Sequence, residues 1–229
     1  MRIAAQKEHW FIKKAALHAQ LAVTESAVNM KHTVKISKLI KDLELRKNPV
    51  IVKVNKFTEE SAKKFHEQMA AAHNTGQKVI PVVIDSYGGQ VYSLMSMISA
   101  IRHAELPVAT IVEGKAMSCG AILFSFGEQG RRFMDPDATL MIHDVSSMDM
   151  GKVEELKAGA AEADRLNEKV YTMMAQNCGK PDDYFMKIVD KKKHADWFLD
   201  AKQAKRHGLA NHLRIPTVRI KVDVDIEME

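Results

Sequence analysis

The stretch Gly114-Lys-Ala-Met-Ser-Cys-Gly120 determines how the fold of this chain is predicted. It follows the apolar residues 108–112 and leads into the apolar residues 121–126. An apolar run, a small-residue turn and a second apolar run predict a strand, a tight turn and a buried helix. Such a turn places Ser118 at the helix entrance, with its hydroxyl exposed and nearby backbone N–H groups pointing outward.

We expect the glycines of this turn to supply positive φ angles and to let a substrate carbonyl approach closely. The pattern is also typical of an ordinary connection between a strand and a helix. A nucleophilic Ser118 therefore requires a base, an orienting group and an oxyanion hole from other parts of the chain.

The segments before this stretch alternate between strand and helix patterns. Residues 49–54 and 79–84 are apolar strands, and residues 62–72 between them have a helical pattern. This order predicts a βαβ unit, and the continuous apolar strands predict a parallel sheet covered on both faces. The second strand leads into Gly88-Gly89, at the end of a parallel strand where α/β sheets bind ligands. A turn that needs positive φ explains the glycine pair equally well.

The segments after the stretch contain a strand, a long helix and an isolated aspartate. Residues 139–143 predict a strand that ends in His143, and residues 151–176 predict one helix with apolar positions spaced by three and four. A helix of that length suggests a contact between subunits. Asp196 has no helix-capping role, and residues 214–226 alternate as in a terminal strand.

Length and composition fit one globular domain with an added arm. The chain has 229 residues, 46% hydrophobic and 28% charged, and we assign the domain to residues 48–229 and the arm to residues 1–47. The arm is partly helical and partly basic in pattern. Such a segment is more often an amphipathic decoration, and the alternative is that it packs on a partner subunit or on the domain. No run approaches the ~20 apolar residues of a membrane span, and no signal-peptide segment is found, so we expect a cytoplasmic protein with no membrane partner.

The cysteine, histidine and charge patterns exclude several other classes of function. Cys119 and Cys178 form neither a disulfide framework nor a metal cluster, and the histidines lack zinc-type spacing, so we predict no metal and no cofactor. The net charge of +5 is spread along the chain with few interleaved aromatic residues, which predicts no nucleic-acid partner.

Ser118, His143 and Asp196 are the candidate nucleophile, base and orienting carboxylate, since each lies at the boundary of an apolar element. Taken singly, each is more often a structural or solvated residue. Cys119 is an alternative nucleophile, although its side chain should point away if its N–H serves the oxyanion. Asp144 is a rival orienting group, but neighbouring strand residues point to opposite faces.

Four ordered motifs over about residues 48–213 resemble the proteolytic subunit of Clp protease (ClpP). They are Asp85-Ser-Tyr-Gly-Gly, Gly114-Lys-Ala-Met-Ser-Cys-Gly-Ala, Arg132-Phe-Met-Asp-Pro with Leu140-Met-Ile-His, and Asp196-Trp-Phe-Leu-Asp with His207-Gly-Leu-Ala. The resemblance implies an α/β fold of the crotonase type, built of stacked ββα units with a projecting handle helix.

The resemblance also implies a serine endopeptidase with the triad Ser118, His143 and Asp196. The oxyanion hole would be the backbone N–H groups of Gly89 and Cys119. Substrate would pair as an added strand, with broad specificity, between two segments. The implied substrate-binding residues are Gly88, Gln90, Val91, Asp144 and Val145.

Implied partners are other copies of the chain, in a heptameric ring or two stacked rings, an AAA+ unfoldase and unfolded polypeptides. Tyr87 stands where the family usually has proline, Lys115 adds a charge beside the nucleophile, and the arm differs from the family's usual N-terminal segment. An unusual arm on an intact core suits a divergent or bacteriophage-encoded member. Two alternatives remain open, a catalytically silent assembly subunit and a non-peptidase that acts on acyl thioesters.

Overall fold

The structure, a computed structural model, describes residues 49–145 and 151–219. The arm and part of the predicted terminal strand lie outside these ranges. The chain divides after Asn48, and the compact unit that begins at Pro49 contains all described residues.

Six strands form one sheet. They are β1 (Val52–Val54), β2 (Ile80–Ser86), β3 (Val108–Met117), β4 (Arg132–Met134), β5 (Thr139–Ile142) and β6 (Trp197–Leu199). The order is β1-β2-β3-β5-β6, and β4 pairs with β3 outside this path. All pairs are parallel except β5 with β6. The predicted α/β class is therefore confirmed, with one antiparallel strand at the edge.

Six helices accompany the sheet in the described residues. They are α1 (Glu59–His73), α2 (Val91–Arg102), α3 (Cys119–Phe124), α4 (Val153–Asn177), α5 (Tyr184–Lys191) and α6 (Ala201–Arg206). None of these helices combines the length and the apolar character that a membrane span requires.

The central strands carry the core. Val82, Ile84 and Val112 have no exposed surface, and most other residues of β2 and the first half of β3 are also buried. Each such side chain stabilises the fold by roughly 1.5–3 kcal/mol relative to an exposed position. This burial agrees with the predicted parallel sheet that helices cover on both faces.

Helix α4 is buried along its second half only. Leu166, Val170 and Met174 are buried, whereas Val153 and Leu156 in the first half are 65% and 41% exposed. The subunit itself therefore covers only the second half of the apolar stripe predicted along α4.

Three local predictions were wrong. Strand β3 continues through Gly114 to Met117, so the turn after it is shorter than predicted. Strand β4 lies in a segment for which no strand was predicted, because its pairing partner in β3 is distant in sequence. Residues 214–219 form no strand, and residues 220–226 lie outside the described residues.

Candidate active site

Three strand ends lie at one edge of the sheet. Strands β3 and β5 are parallel neighbours, and β6 runs antiparallel beside β5 with Ile142 paired to Trp197. Ser118 follows β3, His143 follows β5 and Asp196 precedes β6. Because the carboxyl ends of β3 and β5 lie beside the amino end of β6, the three predicted residues occupy the same edge on adjacent strands.

Ser118 has a backbone conformation that residues other than glycine rarely adopt, with φ 55° and ψ −121°. Its N–H donates to the Met141 carbonyl at 2.8 Å, and its own carbonyl accepts from Ala121 and Ile122 as α3 begins. Such a conformation costs of the order of 1–3 kcal/mol and persists where the surroundings fix it. A sharp strand-to-helix turn of this kind is a known way to present a serine hydroxyl at the end of a sheet.

The positive φ lies on Ser118 itself and not on the glycines of the stretch. Gly114 lies within β3 and Gly120 within α3, and neither is among the residues with positive φ. A β-carbon on Gly120 would meet the Ala116 β-carbon at 3.5 Å, an ordinary contact. The expectation that these glycines supply positive φ is therefore wrong.

The Gly88–Gly89 loop packs directly against Ser118. Gly88 has φ 106°, and a β-carbon on it would lie 2.7 Å from the Ser118 β-carbon. Gly89 has φ 148°, and a β-carbon there would lie 2.5 Å from the Phe57 carbonyl oxygen. The N–H of Gln90 donates to that same carbonyl at 2.8 Å. The loop is thus confined between Ser118 and Phe57, and both positions require glycine.

Two backbone N–H groups near Ser118 have no acceptor among the described residues. They belong to Gly89 and Cys119, the two residues predicted for the oxyanion hole. The Cys119 thiol donates to the Gly89 carbonyl oxygen, with 3.2 Å between Sγ and O, and so connects the two segments. Unpaired N–H groups beside a hydroxyl are the donors that an oxyanion needs.

Cys119 is poorly suited to be the nucleophile. Its side chain is 1% exposed, and burial raises the pKa of the thiol to about 11. A thiol with this pKa is protonated at neutral pH, and the thiolate is the reactive form. The contact with Gly89 also directs the sulfur to the loop.

His143 is half-buried and Asp196 is exposed. Among the hydrogen bonds of the described residues, none joins the side chains of Ser118, His143 and Asp196. The structure therefore brings the three residues to one edge without connecting their side chains.

The Asp144 carboxylate is occupied by groups from two other elements. The Tyr171 hydroxyl donates to Oδ1 at 2.8 Å, and Nδ1 of His194 lies 2.7 Å from Oδ2. The next backbone N–H, that of Val145, donates to Oδ1 of Asn167 at 2.7 Å. This segment is therefore held against α4 and against the turn that follows α5.

On the opposite side of the site, the extended backbone ends at Gln90. This residue has φ −71° and ψ 126° and precedes α2, which begins at Val91. The Tyr92 hydroxyl donates to Oε1 of Glu162 at 2.8 Å and so links the start of α2 to α4. Substrate pairing by Val91 remains a prediction.

Lys115 and Tyr87, two of the departures from the family pattern, form one surface cluster with Asp85. The Lys115 ammonium lies 2.8 Å from Oδ1 of Asp85 and 4.5 Å from the centre of the Tyr87 ring. The hydrogen bond to Asp85 raises the pKa of Lys115. The lysine charge is therefore balanced within this cluster.

No sequence pattern indicates that Tyr171, Asn167 and His194 are neighbours of the Asp144–Val145 segment. Their separations from it, 27, 22 and 50 residues, exceed any helical or strand period. From the sequence, Tyr171 is predicted only as part of the long helix, and no role is predicted for His194.

Comparison with known proteins gives concordant results. Residues 32–215 match the family described as Clp protease. The chain is 33% identical over 149 residues to "ATP-dependent Clp protease proteolytic subunit 1" of Rhodopirellula baltica. That match covers 65% of this chain and 64% of the relative, so the chain spans somewhat less than two thirds of the relative's length.

Proposed function

Because the chain belongs to the Clp protease family, we propose that it is a serine endopeptidase that hydrolyses unfolded polypeptides or short peptides with broad specificity. The observation that carries the proposal is the position of Ser118 on a strained turn, against a glycine loop and beside two N–H groups without acceptors. A serine with a purely structural role would not require this combination of features.

In this mechanism His143 accepts the proton of Ser118 as the hydroxyl attacks the peptide carbonyl. Asp196 fixes the tautomer of His143 and offsets the charge of the imidazolium. The N–H groups of Gly89 and Cys119 stabilise the oxyanion, and His143 then returns the proton to the leaving amine.

The sheet register supports the pairing of base and orienting group. Ile142 and Trp197 are the last paired residues of β5 and β6 on this side. Continuing the antiparallel register by one position sets His143 opposite Asp196. Residues directly opposite each other have β-carbons about 4.5–5.5 Å apart, which leaves a short side-chain movement for hydrogen bonding.

Substrate would lie extended between the Gly88–Gln90 loop and the Asp144–Val145 segment. Main-chain pairing recognises little side-chain chemistry, which supports broad specificity. The N–H of Val145 is already used by Asn167. Pairing on this side would therefore depend on the remaining backbone groups of the segment.

We also propose that the active form is a closed ring, a heptamer or two stacked rings, joined through α4. The exposed apolar residues Val153 and Leu156 support a subunit contact there. Ring closure satisfies repeated contacts without an open filament, and an enclosed site protects folded proteins. An AAA+ unfoldase would then supply unfolded chains, as the name of the relative, "ATP-dependent Clp protease proteolytic subunit 1", suggests.

One observation favours the alternative of a catalytically silent assembly subunit. Within the described residues, the side chains of Ser118, His143 and Asp196 share no hydrogen bond. A silent subunit would keep these residues without assembling them into a working triad.

Fluorophosphonate labelling separates the two functions. The peptidase is expected to be modified covalently at Ser118, and Ser118→Ala should lower peptide hydrolysis by about 10³-fold or more while assembly stays intact. Removal of one hydroxyl from a turn changes little packing. Equal hydrolysis by the purified Ser118→Ala protein would refute the assignment, and an unlabelled, inactive wild-type ring would favour the silent subunit.

A further inference from the structure

Two residues of a second network adjoin the proposed base and orienting group. Asp144 directly follows His143, and His194 lies two positions before Asp196. We use the term clamp for Tyr171, Asp144 and His194, which are connected through the two oxygens of the Asp144 carboxylate.

One end of the clamp is fixed in the core. Tyr171 is 1% exposed, and it lies in the buried half of α4. Burial and the hydrogen bond to Asp144 raise the pKa of the Tyr171 hydroxyl, which therefore remains a donor at neutral pH. Together with the bond from Val145 to Asn167, this contact holds the chain after β5 on α4 at two points.

The other end of the clamp is a strained turn. Lys193 and His194 have φ 55° and 59°, and both are exposed residues other than glycine. The His194 N–H donates to the Val189 carbonyl at 3.1 Å, and its ring reaches Asp144 at 2.7 Å. Consecutive left-handed residues persist only where other contacts hold them, and the ring contact with Asp144 is one of these.

The clamp bridges the place where the strand ladder ends. Past the Ile142–Trp197 pair, β5 and β6 form no further strand pairing among the described residues. The contact between Asp144 and His194 is a bond between these two diverging segments. It therefore replaces the missing ladder bonds next to His143 and Asp196.

We infer that Asp144 and His194 are positioning residues, which hold His143 and Asp196 in the register in which the two face each other. The inference rests on the proposed function. The His194 side chain is 59% exposed, so its contact with Asp144 contributes little to stability. A small displacement of a catalytic group can nevertheless lower the rate up to about 100-fold, so its loss should appear in catalysis more than in folding.

The test uses full-length chains that differ at the turn. His194→Gly removes the ring and also relieves the positive φ, so backbone strain does not confuse the result. His194→Asn keeps a donor at the place of Nδ1 on a residue that tolerates positive φ. Lys193→Gly is the matched control, since it changes the same turn outside the clamp.

For fluorogenic peptide hydrolysis we expect His194→Gly to lower kcat about 10-fold with KM unchanged within twofold. His194→Asn should restore most of the loss, and Lys193→Gly should equal the wild type. A purely structural role would not be rescued selectively by a hydrogen-bond donor. Wild-type kcat in His194→Gly, or equal losses in Lys193→Gly, would overturn the inference.

A double-mutant cycle of Asp196→Asn and His194→Gly tests whether the clamp acts through the pairing of His143 with Asp196. Asp196→Asn alone should lower turnover by several powers of ten, as for orienting carboxylates generally. In that background His194→Gly should have no further effect, because the pairing of His143 with Asp196, which the clamp maintains, is already lost. A further 10-fold loss there would contradict the inference.

Two controls separate this inference from the proposed function. If Ser118→Ala abolishes hydrolysis while His194→Gly retains full kcat, only the positioning role fails. If Ser118→Ala hydrolyses peptide at the wild-type rate, the proposed function fails. A crystal structure of His194→Gly with His143 and Asp196 unmoved would overturn the positioning role even if no activity were measurable.

Discussion

Gly88→Ala adds a single carbon to the loop that carries the Gly89 N–H, and so tests the proposed oxyanion hole. The new β-carbon would lie 2.7 Å from the Ser118 β-carbon and 3.2 Å from its Oγ, on a residue with φ 106°. Carbon atoms do not approach so closely without displacement. Either the Gly88–Gly89 loop or Ser118 must move, and both carry groups that the reaction requires.

The magnitude follows from two separate costs. Alanine at this φ is strained by about 1–3 kcal/mol, a cost to stability. Displacement of the Gly89 N–H from its place near Ser118 removes one oxyanion donor, which typically lowers kcat by about 10²–10³-fold. We therefore expect Gly88→Ala to assemble and to hydrolyse peptide at about 1% of the wild-type kcat or less.

Gly130→Ala is the matched control for this substitution. Gly130 has φ 85°, but a β-carbon there would meet nothing within 4 Å. Gly130→Ala should have the same kind of backbone strain as Gly88→Ala, which lowers the melting temperature by about 2–4 °C for each kcal/mol of strain. It should nevertheless keep full activity. The assay is kcat for a fluorogenic peptide beside thermal unfolding of both variants. If Gly88→Ala kept kcat within threefold of Gly130→Ala, the loop would have no part in oxyanion binding.

Two other regions give further expectations. Burial raises the pKa of the Cys119 and Cys178 thiols from 9.0 to about 11, so a thiol reagent at pH 8 should modify the unfolded chain far faster than the native protein. In the folded protein these thiols stay protonated up to a higher pH than in the unfolded chain. Their contribution to stability is therefore present below pH about 9 and is lost as the pH rises through about 11. A stability that increased over that pH interval in thermal melts would contradict these pKa shifts. At the proposed subunit contact, Leu156→Asp should shift sedimentation at micromolar concentration to smaller species, whereas Ala158→Asp, with the same added charge on another face of α4, should not. Unchanged rings in Leu156→Asp would place the contact elsewhere.

Elements whose signals are local could be predicted from the sequence. Helix caps are one such signal: Thr58 forms a capping box with Ser61 and Asp200 forms one with Gln203, and each bond joins residues three apart in sequence. The apolar runs of β2 and β5 were also predicted, since a parallel sheet buries both faces of its strands.

Elements that depend on distant partners could not be predicted in this way. Strands β4 and β6 have three residues each, too few for a periodic pattern, and they exist because β3 and β5 offer pairing edges. The positive φ of Ser118 has the same origin. The chain must leave β3, bond to Met141 and enter α3 within one residue, and only the assembled sheet imposes this path.

The candidate site differs in kind between its two halves. Around Ser118 the geometry is fixed by excluded volume, since Gly88 and Gly89 could not accept even one added carbon without displacing Ser118 or Phe57. Around His143 and Asp196 the proposed geometry rests on the side-chain hydrogen bonds of Asp144, one of them with a largely exposed histidine. Substitutions at Gly88 and Gly89 should therefore depend on the size of the new side chain and not on its chemistry. In the second half the reverse should hold, because a donor of similar geometry can replace His194, whereas an apolar residue of similar size cannot.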